Sequence, residues 1–223
     1  MPVRDRRCQS VIDDAASHLN GQTLDTFNLW HALGTSSSEA LPAESTGTNP
    51  TELDISPLYA LHQLKVIQVS LIHPVSLTPS DLEKIPTIWT NLVNLYLSPE
   101  LPTRRPPSIN HKHIIQLVQS LPSLVSLGLK FDASHITKRD CRTTLPSKLK
   151  TLCTGASPIR DPSRVVEWIQ AHFPHLETLS TDSRTRVGEN RLYKQRWAVV
   201  MDGMGKLEAS GKTSRSAGML IRW

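Results

Sequence analysis

The sequence predicts an α/β fold: a right-handed, irregular solenoid of five or six helix-strand repeats, with parallel strands inside the curve and helices outside. Three observations carry this expectation. First, Ile114, Leu117, Val118 and Leu121 fall at i, i+3, i+4 and i+7, one stripe of a helix, and past Pro122 the pattern becomes Leu124, Leu127 and Leu129, one side of a short strand. A helix and a strand this short cannot bury their apolar faces alone, so stacked neighbours must cover them. Second, the strand register recurs from Leu24, Leu64, Leu92, Leu124, Leu149 and Leu176, at spacings of 40, 28, 32, 25 and 27 residues. Apart from the first, these lie in or near the ~20–29 residues of a leucine-rich repeat. Third, Leu61, Trp89, Leu121 and Phe173 each stand three residues before a register, at the place where a helix would hand its last apolar residue to the next strand.

Taken in order, residues 1–53 form an N-terminal segment. It holds a short helix over Ser10–Leu19, a first strand with Leu24, Phe27 and Leu29 inward, and a Ser/Thr/Pro/Gly-rich loop over 34–52, which has no period and is expected to be mobile. Residues 54–186 form the repeat domain. Its helices have start signals: Thr78 with Pro79 and Glu83, then Asn110, Thr137, and Asp161 with Pro162, each placing a capping side chain ahead of the first turn. Pro86 is expected to break or kink the helix from Pro79 to Trp89. Leu145 comes one residue early for its register and implies a local adjustment. Residues 187–206, with Tyr193, Trp197, Val200, Met201 and Met204 on one face, read as a helix that caps the open end of the stack. Residues 207–223 have no stable period and form a basic, disordered tail.

With 38% hydrophobic but only 5% aromatic residues, the core must be built of leucine, isoleucine and valine. Cys8, Cys141 and Cys153 make no paired framework, which places the chain in a reducing compartment. The amino terminus has no apolar signal region, and no apolar run approaches the ~18 residues that would cross a bilayer. A cytoplasmic or nuclear protein without a membrane partner is expected. The formal charge of +5 sits unevenly: Arg184–Trp223 carries nine Lys or Arg against three acids, while the remainder sums to −1. A nucleic-acid surface would run along a folded face, so the excess reads as a solvated tail, with weak nucleic-acid binding through it as the alternative.

No motif in the sequence assembles catalysis. Gly205–Thr213 approaches a phosphate-binding loop, but Lys206 stands where the motif needs glycine and no buried strand leads into it. His172 and His175 with Cys141 and Cys153 lack zinc spacing, so no metal or other cofactor is expected. Asp161 and Pro162 are explained as structural caps. The positive case is geometric. If the leucines point inward, the alternating residues line the opposite face: Gln68; Asn94 and Tyr96; Ser126 and Lys130; Thr151; Thr178, Ser180 and Asp182. That face is small and polar, suited to recognising a polypeptide, with Tyr96 and Lys130 as expected anchors because exposed rings and long cations dominate many interfaces.

From Ser157 to Leu179, SPIRDPSRVVEWIQAHFPHLETL, and again at Arg196-Trp197, the chain resembles the C-terminal repeats of fungal F-box proteins of the leucine-rich-repeat type. The segments DISPLYALHQL, SDLEKIPTIWTNLVNLYL and SLPSLVSLGLKFDAS fit the same family, so the resemblance spans about Asp54 to Met201. It implies a non-catalytic protein-interaction module, the substrate-recognition part of a ubiquitin-ligase receptor, whose protein target is unidentified. Two departures stand out. The first 50 residues lack the F-box pattern, so binding of a ligase adaptor is implied only if an F-box lies upstream. The position three after a strand's last inward residue holds Glu100, Asp132, Ser157 or Arg184 in place of the Asn or Cys of regular repeats.

Overall fold

The computed structural model describes residues 5–30, 52–101, 106–142, 147–155, 157–181 and 189–205. The 34–51 part of the expected loop, Leu145, the phosphate-loop-like residues 206–213, Asp182, Arg184 and the tail all lie outside them. Six strands, β1 (Thr26–Trp30), β2 (Val66–Ser70), β3 (Asn94–Leu97), β4 (Ser126–Gly128), β5 (Thr151–Cys153) and β6 (Thr178–Ser180), form one open sheet. Every pair is parallel and the spatial order is the sequence order. Each connection therefore moves the chain over by one strand in a constant direction.

The leucine period dictates that outcome. Phe27, Ile67, Leu95, Leu127, Leu152 and Leu179 are paired in a single row across all six strands, and all are buried. Each contributes on the order of 1.5–3 kcal/mol by leaving water, so a slip of one residue in any strand would expose its whole apolar set. The row packs in one continuous core with the apolar stripes of α1 (Asp5–His18), α2 (Pro79–Ile88), α3 (His111–Ser120), α4 (Pro162–His172) and α5 (Glu189–Met204). Among the described residues between β1 and β2, the helical element is a short 3-10 turn, Ser56–Ala60.

The helix starts are capped by the expected side chains. The Thr78 hydroxyl accepts from the Asp81 N–H, with the Asp81 carboxylate returning to the Thr78 N–H. Asn110 Oδ1 accepts from Lys112 and His113 N–H, and Asp161 Oδ1 from Ser163 and Arg164 N–H. Pro162 begins α4, where a missing N–H costs nothing.

Three local expectations change. The amino-terminal helix begins at Asp5 and ends at His18 rather than spanning Ser10–Leu19. Pro86 does not end α2, which continues to Ile88; the ring sits in the last turn, so little helix follows it to be disrupted. Thr137 opens a tight turn instead of a helix: its hydroxyl and N–H both reach Asp140 Oδ2, at 2.6 and 2.8 Å, and the chain then runs on without a helix among the described residues before β5.

Tryptophans tie successive units together. Trp89 Nε1 donates to the Leu61 carbonyl at 2.8 Å, and Trp197 Nε1 to the Ser157 carbonyl at 2.8 Å, so α5 is held by a fully buried ring to the segment that leads into α4. Arg196 adds a bond to the Ile159 carbonyl at 2.7 Å. Serines join the strand ends. Ser157 Oγ accepts from the Phe131 N–H at 3.0 Å and donates to the Thr154 carbonyl at 2.6 Å, both within buried surroundings. Ser98, at φ +43°, donates to the Val69 carbonyl at 2.8 Å and accepts from the Leu71 N–H at 3.3 Å.

Candidate functional site: the polar face of the sheet

Alternation along the strands turns two aligned rows away from the leucines. One runs Thr26, Val66, Asn94, Ser126, Thr151, Thr178; the other runs Asn28, Gln68, Tyr96, Gly128, Cys153, Ser180, with Trp30 and Ser70 beginning a third. The predicted residues Gln68, Asn94, Ser126, Thr151, Thr178 and Ser180 are thus brought onto one surface, all half-buried.

The two expected anchors do not stand free of it. Tyr96 lies flat across Gly128, and its hydroxyl donates to Glu100 Oε2 at 2.9 Å, while Ser70 Oγ donates to Glu100 Oε1 at 3.1 Å. Burial first, then Cys153 and Glu100 beside it, pushes the phenol well above its ordinary pKa. Burial likewise raises the Cys153 thiol to about 11, which leaves it protonated and a poor nucleophile near neutral pH. The cause is the segment 98–101, which turns back across the strand ends. The Pro99 carbonyl lies so close to Gly155, itself at φ +54°, that a Cβ built there would stand 1.8 Å from it. Ser98, Glu100 and Leu101 are buried as a result. Lys130 reaches up to the same segment, with Nζ 3.3 Å from the Leu101 carbonyl, and burial draws its pKa down to about 8. A cavity of about 230 Å³ lies at these strand ends, lined among others by Leu97, Ser98, Leu129, Lys130, Pro106 and Pro107.

What remains open is the first row, the Ser180 side, and the β1–β2 side with Thr26, Asn28, Gln68 and Trp30. Trp30 is 58% exposed, the most of any large hydrophobic residue among those described. Thr26, Asn28 and Trp30 were absent from the sequence-based set, although Phe27 and Leu29 already imply their outward alternation. The open surface offers hydroxyls, amides and one indole, a chemistry of adaptable hydrogen bonding with an aromatic anchor.

A second polar cluster lies on the helical side. His111 Nε2, from the start of α3, is 3.5 Å from Asp140 Oδ2, with Lys112 Nζ 3.8 Å from Asp140 Oδ1. His172 Nε2, on α4, lies 2.7 Å from the Asp140 carbonyl, and the Trp168 ring sits between the two imidazoles, 6.2 and 6.0 Å away. Burial pushes the His111 pKa down against the pull of Asp140, and the net shift is downward. Partial burial pushes Asp140 up, but bonds from Thr137 and the charges of His111 and Lys112 outweigh it and hold the carboxyl low. Among the described residues no group of three His, Cys, Asp or Glu side chains is placed to hold a metal ion, and no helix is long and apolar enough to cross a membrane.

Searches against protein families, characterised proteins and solved structures find no match to this chain.

Proposed function

We propose that this chain is a leucine-rich-repeat solenoid that works as a non-catalytic protein-binding module, similar to the substrate-recognition region of an F-box ubiquitin-ligase receptor. The observation that carries the proposal is the two-sided sheet. Six parallel strands in sequence order give one side to an unbroken apolar row and leave mostly polar residues on the other, aligned strand to strand. Stacked repeats of this kind commonly use their extended sheet surface to hold another polypeptide. The open rows supply Gln68, Asn94, Ser126, Thr151, Thr178 and Ser180 for that purpose, with Trp30 at the corner.

The ligase part of the proposal rests on the resemblance at Ser157–Leu179 and Arg196-Trp197. In support, the Asp161-Pro162 corner caps α4 and Arg196-Trp197 pins α5 to the Ser157–Ile159 loop, so these residues have the joining roles that repeats need. The test is affinity purification of the tagged chain from its source cells, compared with a chain extended upstream. Cullin and adaptor subunits recovered only with the extension would support the receptor. Their absence from both would leave a stand-alone repeat scaffold.

A further inference from the structure

The first strand is an edge. Among the described residues β1 pairs with β2 on one side and with no strand on the other. The Val66 N–H donates to the Asp25 carbonyl, so Asp25, Phe27 and Leu29 aim their backbone groups at β2, and alternation aims those of Thr26, Asn28 and Trp30 outward. Among the described residues no donor or acceptor meets these outward groups. Proteins defend such edges with charge, proline, a bulge or a covering element, because a bare row of N–H and C=O groups templates another strand. Thr-Phe-Asn-Leu-Trp has no charge and no proline, pairs with β2 without a bulge, and ends on the most exposed large apolar side chain described.

The outward groups also set which strand fits. Thr26, Asn28 and Trp30 are symmetric about Asn28. Two copies turned by a two-fold axis through Asn28 would exchange both backbone bonds between the two Asn28 residues, the arrangement of an antiparallel hydrogen-bonded pair. Thr26 of each copy would then face Trp30 of the other. That cross-strand contact lays an indole over a β-branched side chain, one of the favourable pairings in sheets. A neutral strand meets its own copy without like-charge repulsion, and a two-fold interface of this kind closes at the dimer.

We propose that β1 is the self-association edge of this protein: two copies join antiparallel through Thr26–Trp30, continuing the six-stranded sheet into one of twelve. This goes beyond the binding role of the polar face and does not rest on it.

The test is sedimentation of the full chain over a range of concentrations, at raised salt so that charges outside the sheet are screened. The expected result is a concentration-dependent shift from 24.9 kDa towards twice that mass. Asn28→Pro removes an N–H that points away from β2, a place where an edge strand tolerates proline, and should weaken the dimer at least tenfold without unfolding the monomer. Trp30→Lys changes only an exposed side chain and should weaken it likewise, so the proposal stays testable even if the proline variant folds poorly. A chain that remains monomeric at every concentration overturns the proposal, as does association that Trp30→Lys leaves unchanged.

Discussion

The Tyr96 ring lies against the backbone of Gly128 on the neighbouring strand, so closely that a Cβ added to Gly128 would come within 2.3 Å of Tyr96 Cδ2. The missing side chain of one strand is the seat for the ring of the next, and the seated ring delivers its hydroxyl to Glu100. Gly128→Ala should therefore lift the ring, break the bond to Glu100 and destabilise the fold by about 1–3 kcal/mol, the usual cost of overpacking. In a Tyr96→Ala background the same substitution should cost almost nothing. Urea unfolding of the four proteins in that cycle measures the coupling.

Ser157 joins two buried backbone groups with one hydroxyl. Ser157→Ala leaves the buried Phe131 N–H without an acceptor, and a loss of about 1–3 kcal/mol is expected. Ser163→Ala, on the exposed start of α4, is the control and should stay within about 0.5 kcal/mol. Thermal or chemical denaturation checks both.

Gly155 combines a left-handed backbone with a neighbour that cannot move aside easily, the Pro99 carbonyl. Gly155→Ala meets backbone strain and a steric clash together, and should cost more than about 2 kcal/mol. It should also loosen the 98–101 segment, which hydrogen exchange at Leu101 would register as faster opening.

The His111 cluster makes stability depend on pH. The folded state holds His111 neutral below the ordinary value of 6.5, so the unfolded chain binds its proton first as pH falls. The stabilisation is complete above 6.5 and declines below it. Asp140, held under 3.8, contributes fully above that value and loses its contribution as pH falls through the depressed range. Melting temperature should thus fall in two stages on acidification. His111→Gln should remove the part of the first stage that belongs to His111 and shrink the second, because the His111 charge is one of the causes that hold Asp140 low, beside the Thr137 bonds and Lys112.

The strands could be read from the sequence because inward leucines at fixed spacing repeat in every unit, and burial of a period-two row permits only one register. The caps could be read for a similar reason: Thr78, Asn110 and Asp161 act on N–H groups two or three residues away. What escaped was set at long range. Nothing near Tyr96 in sequence says that the chain after β3 will fold back over it, because the contact that fixes this segment, Pro99 against Gly155, joins residues far apart in the chain. Tyr96 and Lys130 are half-buried like the other residues of the face, and their bonds to Glu100 and to the Leu101 carbonyl follow from that fold-back. Trp30 was missed for a simpler one: the alternation applied to later strands was not carried back to the first.

The most direct test of the central claim is to ask whether bound proteins depend on the open polar face. Affinity purification with mass spectrometry would compare the native chain, a face variant carrying Gln68→Arg and Thr178→Arg, and a helix-side variant, Gln170→Arg. Partner proteins captured by the native chain and the helix-side variant but lost from the face variant are the predicted result. Equal capture by all three, with folding intact, would contradict recognition through the sheet.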